Sequence, residues 1–113
     1  MVKRINFNKG ALSFFIPKGV MNYRDNKFVS LIDYSSEDGT LKIVKDKDNG
    51  LKVFYRYKNN GSCDLKANAE DLDDDKEHEV AVSWSMEDRL VKIYIDGVEI
   101  ASCEIDITPS AVI

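Results

Sequence analysis

Hydrophobic and polar residues alternate along most of the chain. In "HEVAVSWS", for example, Val80, Val82 and Trp84 occupy every second position. Successive side chains of a β-strand point to opposite faces, so this period of two predicts strands with one buried face. The predicted strands are Ala11–Ile16, Phe28–Tyr34, and those within "TLKIVKD", "GLKVFYRYK", "SCDLKAN", "HEVAVSWS", "LVKIYIDG" and "GVEIASCEIDI".

Turn-forming pairs separate many of these strands. They are Asp38-Gly39, Asn49-Gly50, Asn60-Gly61 and Asp96-Gly97. Asn-Gly and Asp-Gly accept the positive φ angles of tight hairpin turns. Short strands joined in this way predict an all-β fold, an antiparallel two-sheet β-sandwich. The first and last strands are expected to pair with each other or to form sheet edges.

No segment shows a sustained helical period. The best candidate, "ANAEDLDDDKE", has only Leu72 as an apolar anchor. It predicts an acidic loop with at most one turn of helix. Its run Glu70–Glu77 clusters hard oxygen ligands that suit calcium, but the spacing matches no known calcium loop. A solvated acidic loop is therefore expected, with no metal and no cofactor.

The bulk composition narrows the class of protein. The length of 113 residues predicts one domain, residues 1–113, and 43% hydrophobic residues can fill a core without help from disulfides. A net charge of −4 argues against nucleic-acid binding, which requires a basic surface. No apolar run is long enough for membrane insertion, and the N-terminus predicts no signal peptide. The expected location is cytoplasmic if Met1 is the native start, and extracellular if the chain is an excised domain.

The two cysteines, Cys63 and Cys103, belong to no Cys-x-x-Cys or Cys/His cluster, so no zinc site is expected. The favoured interpretation is two free, buried thiols in a reducing compartment. A disulfide between them is the alternative.

The segment "HEVAVSWSMEDRLVKIYIDGVEIAS" resembles the last third of concanavalin A-like lectin and laminin G-like domains. The features that carry the resemblance are His78, Val80, Val82, Trp84, Tyr94, Asp96 and Gly97. "GALSFFIP" and the segment from Phe28 to Tyr57 are similar to earlier strands of that family, so the resemblance covers roughly residues 10 to 103. It implies a jelly-roll sandwich, compact or shortened at its ends, and a noncatalytic module that binds carbohydrate or glycoconjugate.

An enzymatic function is not expected. "CEIDITPS" resembles the Glu-Ile-Asp-Ile-x-Glu motif of retaining glucanases, in which two carboxylates lie about 5.5 Å apart. Glu104 and Asp106 are present, but Thr108 and Pro109 stand where the second glutamate would be. His78 has no nucleophile motif to serve, so a structural role at the start of a core strand is expected.

Tyrosines are the best candidates for ligand contacts. Their rings can stack on pyranose faces while nearby Asp, Asn and Arg bind hydroxyl groups. The predicted ligand-binding residues are Tyr23, Arg24, Asp25, Tyr34, Tyr57, Asn59 and Asn60. Two alternatives stay open: that these tyrosines only pack on the sheet, and that the domain binds protein through a sheet face or an edge strand.

Overall fold

The computed structural model describes residues 5–58 and 61–106. Eight strands lie in this part of the chain, and no helix does. The strands are β1 (Lys9–Ile16), β2 (Val29–Ser35), β3 (Thr40–Lys45), β4 (Gly50–Tyr57), β5 (Gly61–Asn68), β6 (His78–Ser85), β7 (Leu90–Ile95) and β8 (Val98–Glu104). Each predicted strand is present, with its ends within a few residues of the predicted ones.

The strands form two four-stranded antiparallel sheets. The front sheet has the order β1-β6-β7-β8, and the back sheet is the meander β2-β3-β4-β5. The prediction of an all-β, antiparallel two-sheet sandwich is confirmed, whereas the narrower jelly-roll topology stays a prediction. β1 and β8 are the two edges of the front sheet. The first and last strands therefore form sheet edges, as one of the two predicted alternatives had it, and do not pair with each other.

Three of the predicted turn pairs, Asp38-Gly39, Asn49-Gly50 and Asp96-Gly97, turn the chain where expected; the fourth, Asn60-Gly61, includes a residue outside the described part of the chain. Asp96 and Gly97 have φ angles of 54° and 83°, and Asn49 has a φ angle of 61°. These positive values suit the tight turns that match the twist of paired strands. In the turn between β2 and β3, the amide of Ser36 donates to the carbonyl oxygen of Gly39.

The alternating residues meet between the sheets. Trp84 is buried, and its indole Nε1 donates to the carbonyl oxygen of Asn6 at 2.6 Å. The fully enclosed apolar residues, each with at most 1% of its surface exposed, are Tyr23, Leu41, Ile43, Leu51, Val53, Tyr55, Ala69, Val80, Val82, Val91, Ile93 and Ile105. At about 1.5–3 kcal/mol for each large apolar side chain, this layer supplies most of the driving force for folding.

A disulfide joins the two sheets on one side of the sandwich. Cys63 of β5 is bonded to Cys103 of β8, with 6.4 Å between their Cα atoms, a normal separation for such a bond. The expectation of two free thiols is therefore wrong. The pairing was missed because it depends on β5 and β8 being facing edges of different sheets, which residue spacing does not reveal. Close backbone contacts between the sheets involve β5 with β8 and β7.

The acidic segment between β5 and β6 is a loop with turns and no helix, as predicted. It is not simply solvated, however. Ala69 is completely buried, and the carbonyl oxygen of Asp74 accepts a hydrogen bond from the amide of Gly19. The acidic loop, defined here as residues 69–77, is thus fastened to the segment that precedes β2.

Candidate functional site

The predicted ligand-binding residues lie at opposite ends of the sandwich. Tyr23, Arg24 and Asp25 precede β2, at the end where Val29 pairs with Lys45. Tyr34 and Tyr57 lie at the other ends of β2 and β4. Asn59 and Asn60 fall outside the described residues. The five described residues therefore do not form one surface.

Tyr23 is a core residue. Only 1% of its surface is exposed, and its ring meets the ring of His78 edge-on, with 5.6 Å between centroids. Burial, followed by the carboxylates of Asp74 and Asp96, raises the pKa of the Tyr23 phenol. The phenol stays protonated, and its ring is not placed to stack on a ligand.

Arg24 holds the acidic loop. Its Nη1 donates to the carbonyl oxygens of Glu70 and Leu72 at 3.0 and 2.9 Å, and its Nη2 lies 3.0 Å from Oδ2 of Asp74. The amide of Tyr23 also donates to Asp74. The guanidinium is thus occupied by the protein itself, because its planar array of donors matches these carbonyl and carboxylate oxygens.

Asp25 neutralises a buried lysine. Nζ of Lys45 lies 2.7 Å from Oδ1 of Asp25, 2.6 Å from the carbonyl oxygen of Lys27 and 3.4 Å from Oδ1 of Asn49. The Lys45 side chain has no exposed surface. The hydrogen bond from Lys45 lowers the pKa of Asp25, which favours the ionised carboxylate. Three oxygen acceptors around the ammonium compensate for its burial.

Tyr34 and Tyr57 surround Phe7. Their ring centroids each lie 6.0 Å from that of Phe7, and the Tyr57 ring is roughly parallel to it. The neighbouring Tyr55 is fully buried and donates its hydroxyl to the carbonyl oxygen of Phe7. Burial, with a smaller effect of Tyr57, raises the pKa of Tyr55 to about 12. Packing is the principal role of these rings in the structure.

His78 begins β6, as predicted, and both of its ring nitrogens are engaged. Nδ1 lies 2.7 Å from Oδ2 of Asp96, and Nε2 lies 2.8 Å from the carbonyl oxygen of Asp73. A carbonyl oxygen can only accept, so Nε2 carries a proton; the carboxylate favours a second proton on Nδ1. Burial opposes the charge, but the bonds to Asp96 and Asp73 outweigh it and raise the pKa of His78. This arrangement stabilises the imidazolium and offers no free base.

The two carboxylates of the glucanase-like motif belong to different pairings. Glu104 is the last residue of β8, opposite Leu90, whereas Asp106 forms a bridge with Ser62 of the back sheet. The strand that the comparison with glucanases assumed therefore ends at Glu104, before Asp106. Thr108 and Pro109 lie outside the described residues. Within residues 5–58 and 61–106, no group of three or more His, Cys, Asp or Glu side chains is arranged to hold a metal.

A shallow trough runs over the outer face of the front sheet. Strand pairing places Ala11 opposite Ser83, and Ser83 opposite Lys92; in the next row Ser13 lies opposite Ala81, and Ala81 opposite Tyr94. The outward positions on β1 and β6 in these rows are therefore alanine or serine, while β7 carries tall side chains. A low floor beside a high wall leaves a cavity of about 480 Å³.

The trough combines an aromatic wall with polar groups. Tyr94 and Leu90 stand on the wall, and Lys92 between them pairs with Glu99 at 3.3 Å. Serine hydroxyls lie on the floor, and Lys9 and Asp88 lie at one end. Tyr94 is half-buried, in agreement with the sequence pattern. The sequence did not predict this floor because its small residues lie on β1 and β6, strands that are about 70 residues apart in the chain. The one sequence feature that could have indicated it is the alternation of Ala and Ser at positions 81, 83 and 85.

The comparisons with known proteins assign no family. No family model, curated protein or solved structure matches the chain. Among the described residues, no helix is long and apolar enough to cross a membrane. The functional argument accordingly depends on the trough and on the chemistry of its walls.

Proposed function

We propose that the protein is a noncatalytic binding module whose ligand is a carbohydrate or glycoconjugate held in the trough of the front sheet. The observation that carries the proposal is the position of Tyr94, which rises directly beside a floor of alanine and serine. The resemblance of "HEVAVSWSMEDRLVKIYIDGVEIAS" to concanavalin A-like and laminin G-like domains supports it.

The chemistry of the trough suits a polar, elongated ligand. A pyranose ring has an apolar face that can pack on a tyrosine ring, and hydroxyl groups around its rim. Ser83 and Ser85 can donate and accept hydrogen bonds, while Lys9 supplies donors and Asp88 acceptors. The small floor residues allow the ligand to lie close to the sheet, which excludes water from the stacked ring.

A glycan array followed by calorimetry tests the proposal. The wild-type protein is expected to retain at least one oligosaccharide class, and Tyr94→Ala is expected to weaken that binding at least about tenfold, or about 1.4 kcal/mol. The loss arises because alanine removes the stacking ring without changing the floor.

Phe54→Ala is the matched control. Phe54 lies on the outer face of the back sheet, in the row of Lys42 and Asp64. Its truncation should leave glycan binding unchanged. Silence across the array, or binding that Phe54→Ala abolishes and Tyr94→Ala preserves, would contradict the proposal; urea unfolding of each variant shows whether it is folded.

A further inference from the structure

His78 lies where three separate segments of the chain meet. Its Nδ1 lies 2.7 Å from Oδ2 of Asp96 in the β7–β8 turn, and its Nε2 lies 2.8 Å from the carbonyl oxygen of Asp73 in the acidic loop. The ring of Tyr23, from the segment before β2, meets the imidazole edge-on. One buried imidazole therefore joins the acidic loop to the β7–β8 turn.

Both bonds of the imidazole require a proton on its own nitrogen atoms, because both partners are acceptors. A carbonyl oxygen and an ionised carboxylate have no proton to donate. The imidazolium carries a proton on each nitrogen and donates to both partners. Neutral imidazole carries one proton, so the lone pair of its second nitrogen faces an oxygen atom. Deprotonation of His78 thus breaks one of the two bonds.

The carboxylate of Asp96 is the stronger of the two acceptors. Hydrogen bonds to an ionised acceptor are roughly twice as strong as those between neutral groups. The amide of Glu79 donates to Oδ1 of Asp96 at 2.9 Å, which holds the carboxylate in position. Neutral His78 therefore keeps its proton on Nδ1, and the broken bond is the one from Nε2 to the carbonyl oxygen of Asp73.

That bond closes the last turn of the acidic loop, residues 73–77. His78 directly follows this turn in the chain, and Asp73 begins it. Within the turn, the amide of Asp75 donates to Oδ1 of Asp73 and the amide of Lys76 donates to the carbonyl oxygen of Asp73. The internal bonds of the turn thus depend on Asp73, the residue that deprotonated His78 releases.

The earlier part of the acidic loop is held by a group that stays charged. Arg24 donates to the carbonyl oxygens of Glu70 and Leu72 and pairs with Asp74, and a guanidinium is always protonated in proteins. The chain has one histidine, the side chain whose ordinary pKa lies near neutrality. The acidic loop therefore has one permanent attachment and one that depends on pH.

The surroundings of His78 favour its charged form. The titratable groups around His78 and its partners are Asp96 in the β7–β8 turn, Asp73, Asp74 and Lys76 in the acidic loop, and Tyr23 before β2. β1 places the apolar Ile16 opposite His78. Burial opposes the charge, but the bonds to the turn and to the loop outweigh it and raise the pKa of His78 above 6.5.

We propose that His78 is a proton-operated latch of the acidic loop. Protonated, it holds the β7–β8 turn and residues 73–77 together. When Nε2 gives its proton to water, His78 keeps its bond to Asp96 and releases the carbonyl oxygen of Asp73, and the carboxylate-rich turn opens. This inference does not depend on glycan binding, because none of these residues lines the trough.

An NMR titration of the full chain from about pH 5.5 to about pH 9, on either side of the histidine transition, tests the proposal. The ring ¹⁵N shifts of His78 show which nitrogen carries the proton, and the neutral form is expected to be the Nδ1–H tautomer. Amide exchange in residues 75–77, divided by the intrinsic rate at each pH, should rise at least about tenfold with the midpoint of the His78 titration. The amides of Val80 and Val82 should stay protected throughout.

Asp96→Asn separates the latch from a general effect of pH. Asparagine accepts the positive φ of 54° at this position, and its side-chain amide can donate to Nδ1 of neutral His78. His78 then keeps its proton on Nε2 and its bond to Asp73, so the rise in exchange should disappear. Asp64→Asn is the matched control, since Asp64 belongs to an exposed pair with Arg56, and the rise should persist.

Several results would overturn the proposal. An Nε2–H tautomer in the neutral wild-type protein would place the broken bond at Asp96, and this measurement requires no variant. Exchange in residues 75–77 that ignores the His78 titration would show that the bond does not hold the turn. A rise that persists in folded Asp96→Asn would assign the effect to another group. Loss of protection at Val80 and Val82 together with the turn would make the opening global.

Discussion

The imidazole of His78 and the carboxylate of Asp96 form a hydrogen-bonded pair, with 2.7 Å between Nδ1 and Oδ2. Because Nε2 also bonds the carbonyl oxygen of Asp73, the histidine connects the start of β6, the β7–β8 turn and the acidic loop. Three segments that are separate in the chain thus depend on the protonation of one side chain.

This pair predicts a pH-dependent stability. The pKa of His78 is raised from its ordinary value of 6.5. The stabilisation from the His78 imidazolium is therefore complete below about pH 6.5 and is lost as the pH rises through the pKa of His78 in the folded protein. The bond from His78 lowers the pKa of Asp96 from 3.8, so the stabilisation from the Asp96 carboxylate is present above about pH 3.8 and is lost as the pH falls through the pKa of Asp96 in the folded protein. The free energy of unfolding in urea should therefore decline on raising the pH from about 6.5.

His78→Asn is the control for this effect. The chain has one histidine, so its NMR titration can be followed directly and should give a pKa above 6.5. The variant should be less stable at pH 6 and should lack the decline on the alkaline side. An equal decline in the variant would show that another group is responsible.

The disulfide predicts a large effect of reduction. The bond closes a loop with a sequence separation of 40 residues, for which the chain-entropy relation gives about 4 kcal/mol. The variant with Cys63→Ala and Cys103→Ala should lose stability of this order in urea unfolding, and reductant should affect only the wild type. Rapid alkylation of both cysteines in the native, unreduced protein would contradict the pairing.

Removing the buried ammonium group of Lys45 is expected to lower the stability of the fold. Lys45→Met removes the ammonium group that donates to the carbonyl oxygen of Lys27 and pairs with Asp25, and an unsatisfied buried acceptor costs about 1–3 kcal/mol. Thermal unfolding should show a loss of about 2 kcal/mol or more. Lys52→Met is the control, because Lys52 pairs with Asp46 at a partly exposed site, and it should cost less than about 1 kcal/mol.

Replacing Arg24 is expected to loosen the acidic loop alone. Arg24→Ala removes the donors to Glu70 and Leu72, so amide exchange in residues 69–77 should accelerate at least about tenfold while the core strands exchange as before. Arg56→Ala, which breaks the exposed pair with Asp64, should leave the acidic loop unchanged. If Arg24→Ala left loop exchange unaltered but abolished glycan binding, Arg24 would be a ligand contact.

Most of the architecture followed from local patterns. The alternation around Trp84 and Ile93 predicted strands with one buried face, and Asp96-Gly97 predicted the hairpin, because strand periodicity and turn geometry depend on neighbouring residues alone. Burial of Trp84 and Ile93 agrees with that alternation.

The candidate sites were harder to predict because they depend on distant residues. The sequence alone could suggest a ligand role for Tyr23, Arg24 and Asp25, since their types suit sugar binding. Only the folded chain brings Arg24 to Asp74 and Asp25 to Lys45, and so shows that both charges are used internally.

Local sequence thus decided which residues form strands, which faces are apolar and where the chain turns. The assembly of the two sheets decided which strands became edges, which cysteines met, and which outward side chains lie together in the trough. The physical reason is range: periodicity and turn preference act over a few residues, whereas Ala11 beside Ser83, or Cys63 beside Cys103, depends on how the sheets pair and stack.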